Sequence, residues 1–95
     1  MLVDTRPDHQ RRAYGEVPGA VVIDRNVLEW RLDPACDACL AEASSHRDVV
    51  VVCNEGYSST LAAASLLDLG VNATDVIGGY RAWRDLGLPT QPFDD

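Results

Sequence analysis

The sequence contains no lysine, and its eight basic residues are all arginine. They are outnumbered by 15 acidic residues, which gives a net charge of −7 at pH 7. An acidic protein is repelled by nucleic acid and by anionic membrane surfaces, so neither is expected as a partner. The charge balance leaves small molecules or a basic protein as partners.

Long hydrophobic runs are also absent. No apolar stretch approaches the ~20 residues that a membrane-spanning helix requires, and no basic-then-apolar leader of a secreted protein occurs. We therefore expect a cytoplasmic protein without membrane contact. Repeats, low-complexity stretches and linkers are missing too, and 95 residues with 46% hydrophobic content suit one domain with a modest core. Residues 1–95 are predicted to form that domain.

Cysteine is scarce, and its odd count argues against a disulfide framework in a protein without a secretory signal. The three cysteines are Cys36, Cys39 and Cys53. The first two form a C-x-x-C pair, whose spacing suits a redox pair or half of a zinc site, but a zinc site needs two further ligands from His9, His46 or Cys53. We expect no metal, and two small residues on one helix face are the plainer interpretation.

Short apolar runs alternate with helical patterns along the chain. This alternation predicts an α/β fold: a central, mainly parallel sheet of four to five short strands with helices on both faces. Glycine, proline and capping residues set the boundaries. The strands are predicted at residues 2–6, 21–23, 49–53 and 75–79, and the helices at 8–14, 34–44, 58–69 and 80–87.

The segment VVVVCNEGYSST (49–60) joins a buried strand to a helix through a short polar loop. In parallel sheets, ligands bind at the carboxyl ends of the strands. On the predicted strands, those ends carry Arg6, Arg25, Cys53 and the Gly78-Gly79 pair. These residues are therefore expected to meet at one candidate site.

Cys53 is the candidate nucleophile of that site. The amides at the start of the following helix have no partners within the helix, and the helix dipole adds partial positive charge. Both effects stabilise a thiolate, so the pKa of Cys53 is expected to lie below its ordinary value. The same donors could hold an anion or the outer sulfur of a persulfide. The alternative is an inert buried cysteine at a strand end.

Four segments in order resemble the motifs of single-domain rhodanese-like sulfurtransferases. They are LVDTR, GEVPGAVVI, VVVVCNEGYSS and DVIGGYRAWRDLGLP, which together span residues 2–89. The resemblance implies that the nucleophile takes sulfur from a donor such as thiosulfate or a persulfide, carries it as a persulfide, and passes it to a thiol or a cyanide-like acceptor. This is covalent catalysis, which needs no cofactor.

The resemblance also assigns roles to individual residues. Cys53 is implied as the catalytic nucleophile, with Asp4 and Arg6 in support. A sulfur-relay protein is a further possible partner, and a carrier or docking module with little turnover is the alternative to an enzyme. The residues expected to bind substrate are Asn54, Glu55, Gly56, Tyr57, Ser58, Ser59 and Arg25.

Loop length distinguishes this resemblance from the related phosphatases. The sulfur-transferring members have six loop residues counted from the cysteine, as in Cys53 to Ser58 here. The phosphatases have one residue more and a closing arginine, and this sequence has no arginine between Cys53 and Arg81. A phosphatase is therefore disfavoured.

Glu55 departs from the family pattern, in which many active members carry basic residues in this loop. A carboxylate pointing into the pocket would repel thiosulfate, whereas one pointing outward would have a small effect; we expect it to point outward. Arg6 and Arg25 could supply compensating charge, although Arg6 could instead form a structural ion pair with Asp4. Tyr57 could line the pocket or lie on the surface.

Overall fold

The computed structural model describes residues 1–33 and 48–93. The helix predicted at 34–44 lies outside the described residues. So do Cys36, Cys39 and His46, and with them the interpretation of the C-x-x-C pair.

The described strands form one parallel sheet. Strand β1 is Leu2–Asp4, β2 is Val21–Val22, β3 is Val49–Val52 and β4 is Ala73–Asp75. Their spatial order is β2-β1-β3-β4, and every neighbouring pair is parallel. The predicted α/β fold with a parallel sheet is thus confirmed, and the carboxyl ends of β1 and β3 lie side by side.

Helices connect the strands. Helix α1 is Asp8–Tyr14, and a single 3-10 turn at Arg25–Val27 leads into α2, Leu28–Leu32. Helix α3 is Tyr57–Asp68 and α4 is Gly79–Asp85. The start of α3 comes one residue before the earliest start predicted for it, directly after Gly56, because this glycine adopts the left-handed conformation that turns the chain into the helix.

Strand β3 buries both of its faces, as its four consecutive valines predict. Val49 and Val51 face a core cluster that includes residues of α2 and α3. Val52 faces the opposite side and packs in a second cluster with Tyr80 of α4. The helices therefore cover both faces of the sheet, as predicted.

The fourth strand was placed too late by the sequence pattern. A strand is predicted at 75–79, whereas β4 is Ala73–Asp75. Only Val76 continues the pairing, its N–H donating to Val51 O at 3.0 Å. Gly78 (φ 80°) and Gly79 (φ 65°) then turn the backbone into α4, so the glycine pair starts a helix instead of ending a strand.

The two tryptophans differ in burial. Trp83 packs partly buried against the second core cluster, and its Nε1–H donates to Pro89 O at 2.7 Å. Trp30 is 55% exposed. The five-residue helix α2 buries Leu28 and Leu32, and Trp30 lies between them on its outer side.

Candidate active site

A cleft of about 540 Å³ opens at the carboxyl ends of β1 and β3. Cys53 lies in this cleft. Four of the residues predicted to bind substrate come from the loop after Cys53, Arg25 comes from the turn after β2, and Arg6 comes from just after the end of β1. The residues that line it are Thr5, Arg6, Pro7, Gln10, Arg25, Cys53, Asn54, Glu55, Tyr57 and Ser58. The structure therefore brings these predicted residues together at one cleft, whereas the Gly78-Gly79 pair does not line it.

The loop after β3 wraps around the sulfur of Cys53. The Gly56 N–H donates to Sγ at 3.0 Å, and the Ser59 N–H donates to it at 3.4 Å. Ser59 Oγ lies 3.2 Å from Sγ and is itself fully buried. Gly56 has φ 96°, a backbone conformation that L side chains rarely adopt, and this conformation aims its amide at the sulfur.

Burial and hydrogen bonding shift the pKa of the Cys53 thiol in opposite directions. Cys53 is only 6% exposed, and this burial raises the pKa of its thiol. The hydroxyls of Ser59 and Ser58 and the amides of Ser59 and Gly56 oppose burial, and together they hold the pKa of Cys53 below its ordinary value. A thiolate can only accept hydrogen bonds, so each of these donors stabilises the nucleophilic form.

Helix α4 binds the Cys53 loop through backbone hydrogen bonds. The Tyr80 N–H donates to Cys53 O at 2.7 Å, and the Arg81 N–H donates to Asn54 O at 3.0 Å. Gly79 fits against the loop so closely that a Cβ there would lie 2.4 Å from Cys53 O. With its carbonyls bound by α4, the loop presents its amides to the cleft. Sequence reasoning missed this support, although the Gly-Gly pair was a signal of close backbone approach.

The Glu55 carboxylate pairs with α4. Its Oε1 lies 3.2 Å from Nη1 of Arg81, and the two side chains are 52% and 58% exposed. Glu55 still lines the cleft, but its charge is matched by a guanidinium on the helix behind the loop. The expectation that it points outward agrees with this contact. The pairing with Arg81 was not predicted.

Asp4 and Arg6 form a buried ion pair. Arg6 Nη2 lies 2.8 Å from Asp4 Oδ2, and the same nitrogen donates to Gly15 O at 2.8 Å. The guanidinium also stacks on the Tyr80 ring, 4.0 Å from its centroid. Arg6 thus lines the cleft while its charge is neutralised by Asp4, which agrees with the structural interpretation of this pair.

Arg25 reaches the cleft from the turn after β2. Its Nη1 lies 2.6 Å from Oε1 of Glu29, and its side chain is 38% exposed. Because exposed pairs of this kind are weak, Arg25 is accessible to an anion in the cleft. Of the two arginines that line the cleft, Arg25 has the more exposed ion pair, whereas that of Arg6 is buried.

The remaining loop residues differ in their surroundings. Tyr57 lines the cleft but is 79% exposed, so its ring lies at the rim. Asn54 lines the cleft and has a buried Oδ1 without a hydrogen-bond partner among the described residues.

Three further lining residues, Thr5, Pro7 and Gln10, were missed by sequence reasoning. Thr5 and Pro7 lie between β1 and α1, so the strand-end rule that selected Arg6 could have found them, whereas Gln10 belongs to α1. His9 does not line the cleft.

A family model for the rhodanese-like domain matches residues 1–86. Among curated proteins, "Adenylyltransferase and sulfurtransferase MOCS3-2" of Zea mays is 38% identical over 84 residues, which is 87% of this chain and 17% of that protein. "Thiosulfate sulfurtransferase 16, chloroplastic" of Arabidopsis thaliana is 39% identical over 57 residues, covering 55% of this chain and 48% of that protein. The chain spans less than a fifth of the length of the first of these relatives.

Solved structures with a similar fold also match this chain. A protein of unknown function from Rhodopseudomonas palustris, described as a possible tyrosine phosphatase, superimposes with a TM-score of 0.88 and 30% identity over 96% of this chain and 70% of that one. A rhodanese_3-like domain from Anabaena sp. has a TM-score of 0.75 and 24% identity, covers 96% of this chain and 97% of that one, and shows the shared fold.

The match along residues 1–86 includes both strands that end at the cleft and the whole Cys53 loop. The predicted resemblance is therefore confirmed. This chain belongs to the rhodanese-like domain family and is homologous to domains of sulfurtransferases.

Proposed function

We propose that the chain is a sulfurtransferase that carries sulfane sulfur as a persulfide on Cys53. The observation that supports this most directly is the pair of amides, Gly56 N at 3.0 Å and Ser59 N at 3.4 Å, that converge on Sγ at the start of α3. Donors placed this way stabilise a thiolate before the reaction and a terminal sulfur after it. The homology to sulfurtransferase domains agrees with this chemistry.

With thiosulfate as donor, the reaction has two displacement steps. The Cys53 thiolate attacks the sulfane sulfur, a new S–S bond forms, and the S–S bond of thiosulfate breaks to release sulfite. A cyanide or thiolate acceptor then attacks the outer sulfur of the persulfide and takes it, which returns the Cys53 thiolate. No net electrons are gained or lost by the protein, so no cofactor is needed.

Phosphate ester hydrolysis is the rival activity, because one relative is described as a possible tyrosine phosphatase. The six-residue loop from Cys53 to Ser58 contains no arginine. Arg81, the next arginine in sequence, contacts Glu55 on the side of α4. A transferring phosphoryl group requires a cation at its oxygens, and the loop itself supplies none. Sulfur transfer is therefore the better proposal.

The proposed donor is a persulfide or thiosulfate, and one observation favours a protein donor or acceptor. Tyr57 at the rim of the cleft is 79% exposed, and Ile77, which precedes the turn that contacts Gly56, is 90% exposed. Exposed apolar side chains on and near the loop of a reactive thiol suit contact with another protein. A sulfur-carrier module with little thiosulfate turnover is therefore the second candidate.

The free thiol of the site also leads us to propose a reducing cellular compartment for this protein. Cys53 is a free thiol, and the chemistry requires it to stay reduced. Reducing conditions such as those of the cytoplasm maintain free thiols. Within residues 1–33 and 48–93, no helix is long and apolar enough to cross a membrane.

The test is intact-protein mass spectrometry after incubation with thiosulfate or with a small persulfide donor. We expect wild type to gain the mass of one sulfur, and cyanide to remove it as thiocyanate. Cys53→Ser should gain nothing. Sulfur uptake by Cys53→Ser would overturn the proposal, and so would hydrolysis of p-nitrophenyl phosphate by a wild-type protein that takes up no sulfur.

A matched comparison separates the two candidates. The same protein is incubated with thiosulfate and with a persulfidated donor protein, and uptake on Cys53 is followed in time. Faster uptake from the donor protein, with slow thiosulfate:cyanide turnover, supports the carrier module. Rapid turnover with thiosulfate alone supports the enzyme.

A further inference from the structure

The charge at the mouth of the cleft depends on one contact between the loop and α4. Glu55 is the acidic residue that lines the cleft beside Cys53, and Arg81 is its partner at 3.2 Å. Their exposed fractions of 52% and 58% leave both side chains free to adopt other rotamers. Burial does not fix the carboxylate, so the pairing with Arg81 is what favours its position beside α4.

Arg81 is well placed to keep the contact. Its own backbone N–H donates to Asn54 O at 3.0 Å, so the Cα of Arg81 is fixed beside the residue that precedes Glu55. The neighbouring arginine of α4, Arg84, is also partly exposed, but its ion pair is with Asp85 at 3.4 Å, whereas that of Glu55 is with Arg81. The two arginines thus form a natural pair for comparison.

We propose that Arg81 is a positioning residue that holds the Glu55 carboxylate against α4 and neutralises it, so that anionic sulfur donors can reach Cys53. This inference rests on the proposed sulfur transfer and concerns the choice of donor. A sulfur donor such as thiosulfate carries two negative charges, and a freed carboxylate at the rim would repel it. Arg81 acts through Glu55 and does not itself touch the reacting sulfur.

The proposal is tested by alkylating Cys53 with iodoacetamide, which is neutral, and with iodoacetate, which is an anion. Both reagents attack the same thiolate, so the fraction of thiolate cancels when the two rates are divided. The iodoacetate:iodoacetamide ratio then reports the charge that an anion meets at the cleft. It requires no sulfur transfer, so it separates a failure of this inference from a failure of the proposed function.

For Arg81→Gln we expect this ratio to fall about two- to fivefold, the range that one exposed charge pair supports. In the Glu55→Gln background the same substitution should have little effect, because no carboxylate remains to be released. Arg81→Lys should keep most of the wild-type ratio, and Arg84→Gln should leave it unchanged. The KM for thiosulfate should rise in Arg81→Gln with kcat nearly unaltered.

Two results would overturn the inference. One is an unchanged ratio in Arg81→Gln. The other is an equal fall in the wild-type and Glu55→Gln backgrounds, which would make Arg81 an independent cation instead of a partner of Glu55. Circular dichroism of each variant checks that the fold is kept, which the exposure of Arg81 leads us to expect.

Discussion

Cys53 combines two properties that usually exclude each other, since it is nearly buried and yet its pKa lies below the ordinary value. Burial alone would make it an inert thiol. The donors at the start of α3 reverse this outcome, and among them the Ser59 hydroxyl is the strongest single contributor that lowers the pKa of Cys53. The reactivity of the residue therefore depends on its neighbours and can be removed without touching the sulfur.

Ser59→Ala is expected to raise the pKa of Cys53 and to slow its alkylation by iodoacetamide near neutral pH. The substitution removes the hydroxyl 3.2 Å from Sγ but keeps the Ser59 amide. The measurement is the alkylation rate from pH 5 to pH 10. Thr60→Ala is the matched control, since its hydroxyl contacts Gly56 O and Asp75 and not the sulfur. Identical pH profiles for Ser59→Ala and wild type would contradict this account.

The Asp4–Arg6 pair is the other residue-level feature with a clear energetic role. Asp4→Asn would leave the buried Arg6 guanidinium without its counter-charge, and such losses cost about 3–5 kcal/mol. Glu29→Gln is the control: it breaks the half-exposed pair with Arg25 and should cost less than about 1 kcal/mol. Urea unfolding measures both. Equal destabilisation by the two variants would show that the buried Asp4–Arg6 pair stabilises the fold no more than the exposed Arg25–Glu29 pair does.

At the scale of elements, the site depends on where two helices begin. Helix α3 directs its first amides at the sulfur, and α4 uses its first amides to bind the carbonyls of the same loop. The loop is therefore held between two helix N-termini. Gly79 makes this possible, because its missing side chain lets the α4 backbone contact the loop.

Gly79→Ala is expected to destabilise the protein by more than Gly87→Ala. Both glycines have positive φ, 65° and 76°, so alanine pays the left-handed strain of roughly 1–2 kcal/mol at either site. Gly79 adds a clash, since its Cβ would lie 2.4 Å from Cys53 O, whereas no atom of residues 1–33 and 48–93 lies within 4 Å of a Cβ at Gly87.

The comparison of the two glycine variants uses urea midpoints and the iodoacetamide rate of Cys53. Gly87→Ala should keep the wild-type alkylation rate, while Gly79→Ala should lose part of it because the loop must shift. A Gly79→Ala protein with the stability and alkylation rate of Gly87→Ala would show that α4 does not support the loop.

Local signals predicted most elements, and long-range packing decided the rest. The valine run fixed β3, and the helix after the loop was found to within one or two residues. The strand at 73–75 was placed late because Val76 and Ile77 have strand-like side chains, while the glycine turn that ends the pairing depends on contact with the Cys53 loop. The hydrophobic periodicity and the composition of the sequence carry no information about that contact.

At the scale of the whole molecule, the site joins parts that are distant in sequence. The cleft is built from the ends of β1 and β3, which pair side by side although they are far apart along the chain. Strand order explains why Cys53 and Arg6 could be placed together from the sequence. The Glu55–Arg81 contact could not, since it depends on rotamers of two exposed side chains 26 residues apart.

The lowered pKa of Cys53 links the site to the stability of the whole protein. In the unfolded chain, the Cys53 thiol has the ordinary pKa of cysteine, and its folded-state pKa lies below that value. Between these two pKa values the unfolded chain binds more protons than the folded one, so stability rises with pH. The contribution is fully present above the unfolded pKa and is lost as pH falls through the folded-state pKa.

We therefore expect the free energy of unfolding of wild type, minus that of Cys53→Ala, to increase as pH rises towards the ordinary pKa of a cysteine thiol and to level off above it. Urea unfolding of both proteins in the presence of a reductant measures this difference, and the titration of all other groups cancels in it. In the Ser59→Ala background the same comparison should give a smaller rise, because part of the stabilisation of the thiolate is gone. A difference that stayed constant with pH, or that fell as pH rose, would contradict a lowered thiol pKa and with it a thiolate held ready in the folded cleft.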